Sequence, residues 1–223
     1  MKPLKFDIPP VTPEASAKNR CHPARPEHLK AVGLPESRPE DWQEKAVSKF
    51  EELLGKSRAL RTYLEICVRC GACADKCHFF VGTGDPKNMP YARAELLRKV
   101  YRYYFTPAGR LLGGLVGAEP LTEEVLDEWY TYFYQCSECR RCSVFCPYGI
   151  DQAELTMAAR EIMASVGVAN KYVTEVIANA YRTGNNIGIP AAAWKDNCEF
   201  LEGELKEETG LDIRLPVDVA GAE

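Results

Sequence analysis

The chain has 223 residues, 46% hydrophobic and 27% charged, with a net charge of −4. That is the make-up of one folded domain with appendages, and it offers no broad basic field to neutralise phosphates, so no nucleic-acid partner is expected. No apolar run nears the ~20 residues that cross a bilayer, and Leu111 to Ala118 is the longest.

The start, Met1-Lys2-Pro3-Leu4-Lys5-Phe6, lacks the apolar core of an export signal, so a cytoplasmic chain is expected, peripheral to a membrane through a partner subunit. In a reducing compartment its ten cysteines signal metal rather than disulfides. Residues 1–38 are expected to form an extended, proline-rich arm, because eight of the fifteen prolines lie at or before Pro39. Cys21-His22 within it has no further ligand nearby and reads as an unpaired thiol. A helix is expected from Ser37 to Leu60, opened by a Ser37/Glu40 capping box and carrying Trp42, Ala46, Phe50, Leu53 and Leu54 as an apolar stripe. A short helix from Ala59 to Ile66 leads into Cys67-Val68-Arg69-Cys70-Gly71-Ala72-Cys73-Ala74-Asp75-Lys76-Cys77. Turn-rich residues 82–88 follow, then a helix from Pro90 to Tyr104 with proline in its first turn. The segment 121–134 reads as a helix opened by Thr122 and ending in Trp129-Tyr130-Thr131-Tyr132-Phe133-Tyr134, read partly as core and partly as an aromatic wall that keeps water from a metal site. Then comes Cys136-Ser137-Glu138-Cys139-Arg140-Arg141-Cys142-Ser143-Val144-Phe145-Cys146-Pro147. Helices at 151–166 and 170–182, a loop at 183–190 and a helix from Trp194 to Glu208, ended by Gly210, complete the all-α reading. Residues 212–219 resemble one strand with no partner strand. The expected division is an arm at 1–38, an α-helical ferredoxin-like domain at 39–210 and a tail at 211–223.

Both cysteine runs read C-x2-C-x2-C-x3-C, and the second has the trailing proline, the pattern by which bacterial ferredoxins hold [4Fe–4S] clusters. Two copies with the same spacing imply two clusters. In two-cluster proteins the fourth cysteine of a run ligates the other cluster. One cluster then takes Cys67, Cys70, Cys73 and Cys146, and the other takes Cys136, Cys139, Cys142 and Cys77. On spacing alone, each run closing its own cluster stays open. Zinc competes less well, since structural zinc sites pair two C-x2-C units across a longer loop without a third nearby cysteine. The 58 residues between Cys77 and Cys136 read as helices, hence the helical variant of a ferredoxin-like domain.

His78 stands where the second run has Pro147, either as a proton-linked tuner of potential or as a boundary residue. Arg69, Lys76, Arg140 and Arg141 flank the ligands. Cys198 reads as a buried packing thiol. The basic and aromatic stretch from Lys99 to Ala118 is either a surface facing a membrane or ordinary packing.

Cys67 to Phe80, Gly82-Thr83-Gly84-Asp85-Pro86, Tyr134-Gln135-Cys136 through Tyr148-Gly149-Ile150-Asp151, and Thr183-Gly184-Asn185-Asn186 together resemble the iron–sulfur, N-terminal part of the heterodisulfide-reductase-like family. The likeness is to K subunits of sulfite-reduction-associated membrane complexes and to the D and C subunits of heterodisulfide reductase. The resemblance implies single-electron transfer in sulfur metabolism between a membrane cytochrome b-type subunit, fed by menaquinol, and a thiol/disulfide site acting on a small redox-active cysteine protein. It also implies a CCG domain that reduces the disulfide. No adjacent Cys-Cys pair occurs here, so the CCG domain is expected on a partner or in a missing C-terminal half, with residues 212–219 as its first strand. No catalytic residue is expected in this chain. The cysteine runs are also shared with iron–sulfur subunits of flavin dehydrogenases of the glycolate or glycerol 3-phosphate type, which is the alternative function. Clusters of purely structural use are a further one.

Overall fold

A computed structural model of the chain describes residues 23–217 and 219–220. Among them the fold is all-α, with no strand and one antiparallel bridge between Pro23 and Asn170. Cys21-His22 lies outside the described residues. The described residues fall into two compact units that meet in sequence between Lys171 and Tyr172.

The first unit is built on five helices: α2 (Trp42–Lys56), α3 (Arg58–Ile66), α5 (Pro90–Phe105), α7 (Glu123–Tyr134) and α9 (Gln152–Ser165). Their apolar stripes meet in one core. Phe50 and Leu54 of α2, Leu60 and Leu64 of α3, Leu97 and Val100 of α5, Leu126, Trp129 and Phe133 of α7, and Ile162 and Met163 of α9 are all buried there. Trp129, fully buried, donates from its indole Nε1 to the Leu96 carbonyl at 3.2 Å, so its one polar atom is satisfied inside the core. Shorter pieces connect these helices: α1 (Pro26–Ala31), α4 (His78–Thr83), α6 (Pro107–Leu112) and α8 (Arg141–Val144).

The expected helix from Ser37 to Leu60 is two helices. The Ser37/Glu40 capping box does not form; α2 starts at Trp42, after Asp41. Pro39 accounts for this, since it biases Arg38 away from helical backbone and its carbonyl instead closes a turn on the Trp42 N–H at 3.2 Å. The break lies at Ser57, whose extended backbone (φ −117°) ends α2 and whose hydroxyl caps α3 through the Leu60 N–H at 3.2 Å. Within the expected arm, residues 23–38 are docked rather than extended. Pro26 starts α1, Leu29 is buried, and the Ala24 N–H donates to the Ala169 carbonyl at 2.9 Å. The chain at Pro35 and Ser37 also passes so close to Gly167 (φ +77°) that a Cβ there would lie 3.0 Å from both carbonyl oxygens.

In the basic and aromatic stretch the cations are engaged internally. The Arg98 side chain is 2% exposed and pairs with Glu95 at 2.5 Å, as Arg102 does at 2.6 Å; Lys99 pairs with Glu119 at 3.0 Å. Arg110 donates to the Tyr104 carbonyl. Free basic charge for an anionic surface is therefore not what these residues supply. What the segment exposes is apolar: Leu111 and Leu115 are 83% and 89% exposed.

The second unit holds α10 (Lys171–Thr183) from Tyr172 onward and α11 (Ala191–Thr209), which is closed by Gly210 in the left-handed conformation (φ +72°). Cys198 is buried, as expected of a packing thiol. Residues 211–217 form no strand, against expectation. Glu202 of α11 holds them, accepting from the Leu215 N–H at 2.5 Å and pairing with the Arg214 side chain at 3.2 Å. Among the described residues no helix is long and apolar enough to cross a membrane.

Gly167→Ala should cost roughly 1–3 kcal/mol, through left-handed backbone and forced retreat of residues 35–37. An unchanged midpoint in anaerobic denaturant unfolding would contradict this docking.

Candidate metal centre

α3 ends at Ile66 and delivers Cys67; α7 ends at Tyr134 and delivers Cys136 after one residue. From there the two runs follow the same backbone course. Arg69 (φ +56°) and Glu138 (φ +55°) occupy the third position of their runs, and Gly71 (φ +80°) and Arg140 (φ +58°) the fifth. Arg69, Glu138 and Arg140 are the only non-glycine residues with positive φ among the described residues. Left-handed residues between right-handed ones turn successive N–H groups to one side and form a concave anion nest, a device of phosphate and iron–sulfur sites. Each non-glycine left-handed residue costs on the order of 1–3 kcal/mol and persists only where its surroundings over-determine it.

The surroundings here are ion pairs to core helices. Arg69 Nη2 meets Glu95 of α5 at 2.7 Å, and Glu138 meets Arg160 of α9 at 2.8 Å. The tethered residues hold equivalent positions with opposite charge. Arg160 also donates to the carbonyl of Phe133 at 2.7 Å and to that of Cys136, and its guanidinium lies 5.0 Å from the Tyr134 ring centre. It thus closes the C-terminal end of α7 and aims the second run. Glu95 carries Arg98 and Arg102 as well; its burial opposes ionisation, but those two guanidinium groups outweigh it and hold its carboxyl below the usual range.

The eight cysteines border two cavities, and each cavity draws from both runs. Cys67, Cys70, Cys73 and Cys146 line one, with about 290 Å³ of empty space. Cys77, Cys136, Cys139 and Cys142 line the other, with about 320 Å³. Among the described residues no three such side chains close on a point as they do around a single ion. The thiols ring a space instead.

Two helix N-termini stand between the cavities. In α5, Tyr91 borders the first cavity and Arg93 the second; in α9, Gln152 borders the first and Ala153 the second. Pro90 at the first position of α5 and Asp151 capping α9, through the Ala153 N–H at 2.9 Å, fix where these helices begin. The positive end of each helix dipole therefore lies beside the thiols. The Tyr91 backbone N–H reaches the Cys73 sulfur and the Glu138 N–H reaches the Cys136 sulfur, the latter at 3.4 Å. Burial still pushes the Cys73 thiol up, and burial followed by the nearby Cys136 pushes Cys142 up to about 11. Unligated, these thiols keep their protons at neutral pH; a cationic group that binds them displaces those protons. Four thiols, inward N–H groups and two helix N-termini fit an anionic thiolate-ligated cluster.

Of the flanking residues, His78 is exposed, borders the second cavity and lies 3.3 Å from Ser137 Oγ, joining the runs. Lys76 and Arg140 also border the second cavity and Arg69 the first, whereas Arg141 borders neither. The aromatic wall comes from elsewhere than expected: Trp129 and Phe133 are core, while Tyr91 and Tyr148 border the first cavity and Phe79 the second. Glu95, Arg93 and Arg160 carry no signal in the cysteine pattern. Only the start of α5 at Pro90 is visible in the sequence.

Residues 63–150 match the 4Fe-4S dicluster domain, a family that spans both runs. An Hdr-like menaquinol oxidoreductase iron-sulfur subunit of Archaeoglobus profundus is 50% identical over 185 residues, 83% of this chain and 33% of that protein. The corresponding second iron-sulfur subunit of Archaeoglobus fulgidus is also 50% identical, over 186 residues and the same shares. The resemblance is to the heterodisulfide-reductase-like family. The D-type polypeptide of a dihydromethanophenazine:CoB–CoM heterodisulfide reductase from Methanosarcina barkeri extends it at 28% identity over 105 residues, 47% of this chain and 25% of that one. The chain spans about a third of the length of the two Archaeoglobus relatives. No solved structure gives a significant match.

Arg160→Met should cost about 3 kcal/mol, since it removes charged hydrogen bonds to Phe133, Cys136 and Glu138. On exposure to air the visible absorption should bleach faster than in the unaltered protein. Equal bleaching rates would show that Arg160 does not hold the second run.

Proposed function

We propose that this chain is an electron-transfer module holding two [4Fe–4S] clusters, one on Cys67, Cys70, Cys73 and Cys146 and the other on Cys77, Cys136, Cys139 and Cys142. The observation that carries the reading is the crossed grouping of thiols around two cavities that share the first turns of α5 and α9. When bound, such clusters accept and release single electrons at potentials set by charge, hydrogen bonding and solvent exposure. The chain's own part is to fix the ligands, supply N–H donors and limit water. Cys73 of the first cavity adds to the effects that oppose ionisation of Cys142 in the second, and Gln152 and Ala153 border one cavity each, which supports two centres close to one another. Cys70 and Cys139 are exposed, which gives each centre a side open to a partner.

The names of the Archaeoglobus relatives support menaquinol as the electron source, and the likeness to the Methanosarcina heterodisulfide reductase supports a disulfide as the destination. In this reading a membrane cytochrome b-type subunit is the quinone-linked partner in sulfur metabolism. The thiol/disulfide chemistry takes place on a CCG domain outside these residues, acting on a small redox-active cysteine protein. No residue of this chain is catalytic. The chain works at the cytoplasmic side of a membrane, held there by its partner.

Two experiments test this. Anaerobically purified protein should contain about eight irons and about eight acid-labile sulfides. Cys77→Ser should alter the same EPR signal as Cys139→Ser, and Cys146→Ser the same signal as Cys70→Ser. Pairing of Cys77 with Cys70 would return each ligand set to its own run. For the partner, the native complex isolated without oxygen should contain a b-type haem and its clusters should be reduced by a menaquinol analogue. A copurifying flavoprotein in place of the haem protein would move the chain to the flavin-dehydrogenase alternative.

A further inference from the structure

Arg93 is 3% exposed and borders the cavity of Cys77, Cys136, Cys139 and Cys142. Its Nη2 donates to Asn88, to the carbonyl at 3.1 Å and to Oδ1 at 3.4 Å, while its buried Nε has no hydrogen-bond partner. Among the described residues Arg93 pairs with no carboxylate. The other arginines and lysines that border the two cavities have carboxylate contacts, Arg69 with Glu95 at 2.7 Å, Lys76 with Asp75 at 2.8 Å and Arg140 with Asp151 at 3.2 Å, as does Arg160 with Glu138 at 2.8 Å; Arg141 is exposed and borders neither cavity. Buried Arg98 shares Glu95 with Arg69 and Arg102 and borders neither thiol-lined cavity. A guanidinium keeps its charge at any pH a protein survives, and a buried charge without a counter-charge is strongly disfavoured. The fold therefore holds an unbalanced positive charge at the wall of a cavity ringed by four thiols.

We infer that Arg93 is the buried counter-cation of the second cavity and raises the reduction potential of the centre bound there above that of its neighbour. The inference rests on the two-cluster reading. Four thiolates and four sulfides outweigh the iron charge, so the centre is anionic, and one-electron reduction adds a negative charge without making or breaking a bond. A fixed cation at low dielectric favours the reduced form more than the oxidised one. The first cavity has no buried equivalent: the cation at its wall is Arg69, which is half exposed, so water screens its charge, and it shares Glu95 with Arg98 and Arg102. Arg93 thus sets a direction: between two nearby centres, the electron rests on the one ligated by Cys77, Cys136, Cys139 and Cys142. Arg93 is a positioning and tuning residue, two residues along α5 from the Tyr91 N–H that serves the other cavity.

EPR-monitored redox titration of the full chain, purified without oxygen, tests this with Arg93→Gln and Arg93→Lys. Cys139→Ser identifies which signal belongs to the second cavity. In Arg93→Gln the reduced-to-oxidised ratio of that centre at a given ambient potential should fall by about tenfold, a downward shift of about 59 mV for a one-electron couple, with a smaller change at the other centre. Arg93→Lys, which keeps the charge, should recover most of the shift. If Arg93→Gln loses the second centre outright, Arg93→Lys should retain it, with iron content as the readout. Unchanged potentials in Arg93→Gln, or equal failure of the Gln and Lys variants, would overturn the inference. Absence of iron and sulfide from the unaltered protein would instead remove the cluster reading beneath it.

Discussion

Mutual repulsion among eight thiolates brought together in one small helical domain is the constraint on which the rest of this structure depends. Thiolates cannot be buried side by side unless positive charge and hydrogen-bond donors are buried with them. The upward-shifted Cys73 and Cys142 thiols record that difficulty when no group is bound. The protein answers it mainly with backbone. Left-handed residues shape two loops alike, the N–H groups of Glu138 and Tyr91 reach cysteine sulfurs, and the first turns of α5 and α9 are set between the cavities so that one pair of helix dipoles serves both.

Such loops do not hold their shape unaided. Left-handed backbone at Arg69, Glu138 and Arg140 opposes the intrinsic preference of these residues. The tethers from Arg69 to Glu95 and from Glu138 to Arg160 supply the restraint, and they run to helices whose other faces form the core around Trp129, Phe133 and Ile162. Packing and cofactor site are therefore coupled: a core that loosened would free the loops first. The two tethers have reversed charge, yet each ties the third position of its run to a core helix.

A pattern that repeats locally can be read from the chain, and this explains where sequence reasoning succeeds. Helices α5 and α7 are legible from Pro90 and Thr122 at their starts, and α9 from its alternating apolar and charged faces. Ser37 and Glu40 make an apparent capping box, but Pro39 between them closes a different turn, so the rule fails where a stronger local constraint intervenes. The cations between Lys99 and Arg110 look like a basic surface in one dimension. In three dimensions Glu95, Glu119 and the Tyr104 carbonyl take them up, from up to twenty residues away.

Cysteine spacing is enough, without coordinates, to call for two four-thiol iron–sulfur centres in an all-α domain, because the spacing dictates how one loop can wrap a metal–sulfide core. It leaves open whether Cys77 and Cys146 serve their own runs or each other's, and only packing brings Cys146 to the cavity of Cys67 and Cys77 to that of Cys136. Tertiary structure alone also separates Arg93 from the other arginines in the chain. Burial and the lack of a carboxylate partner are properties of the surroundings, which lie far away in sequence, and no local pattern encodes them.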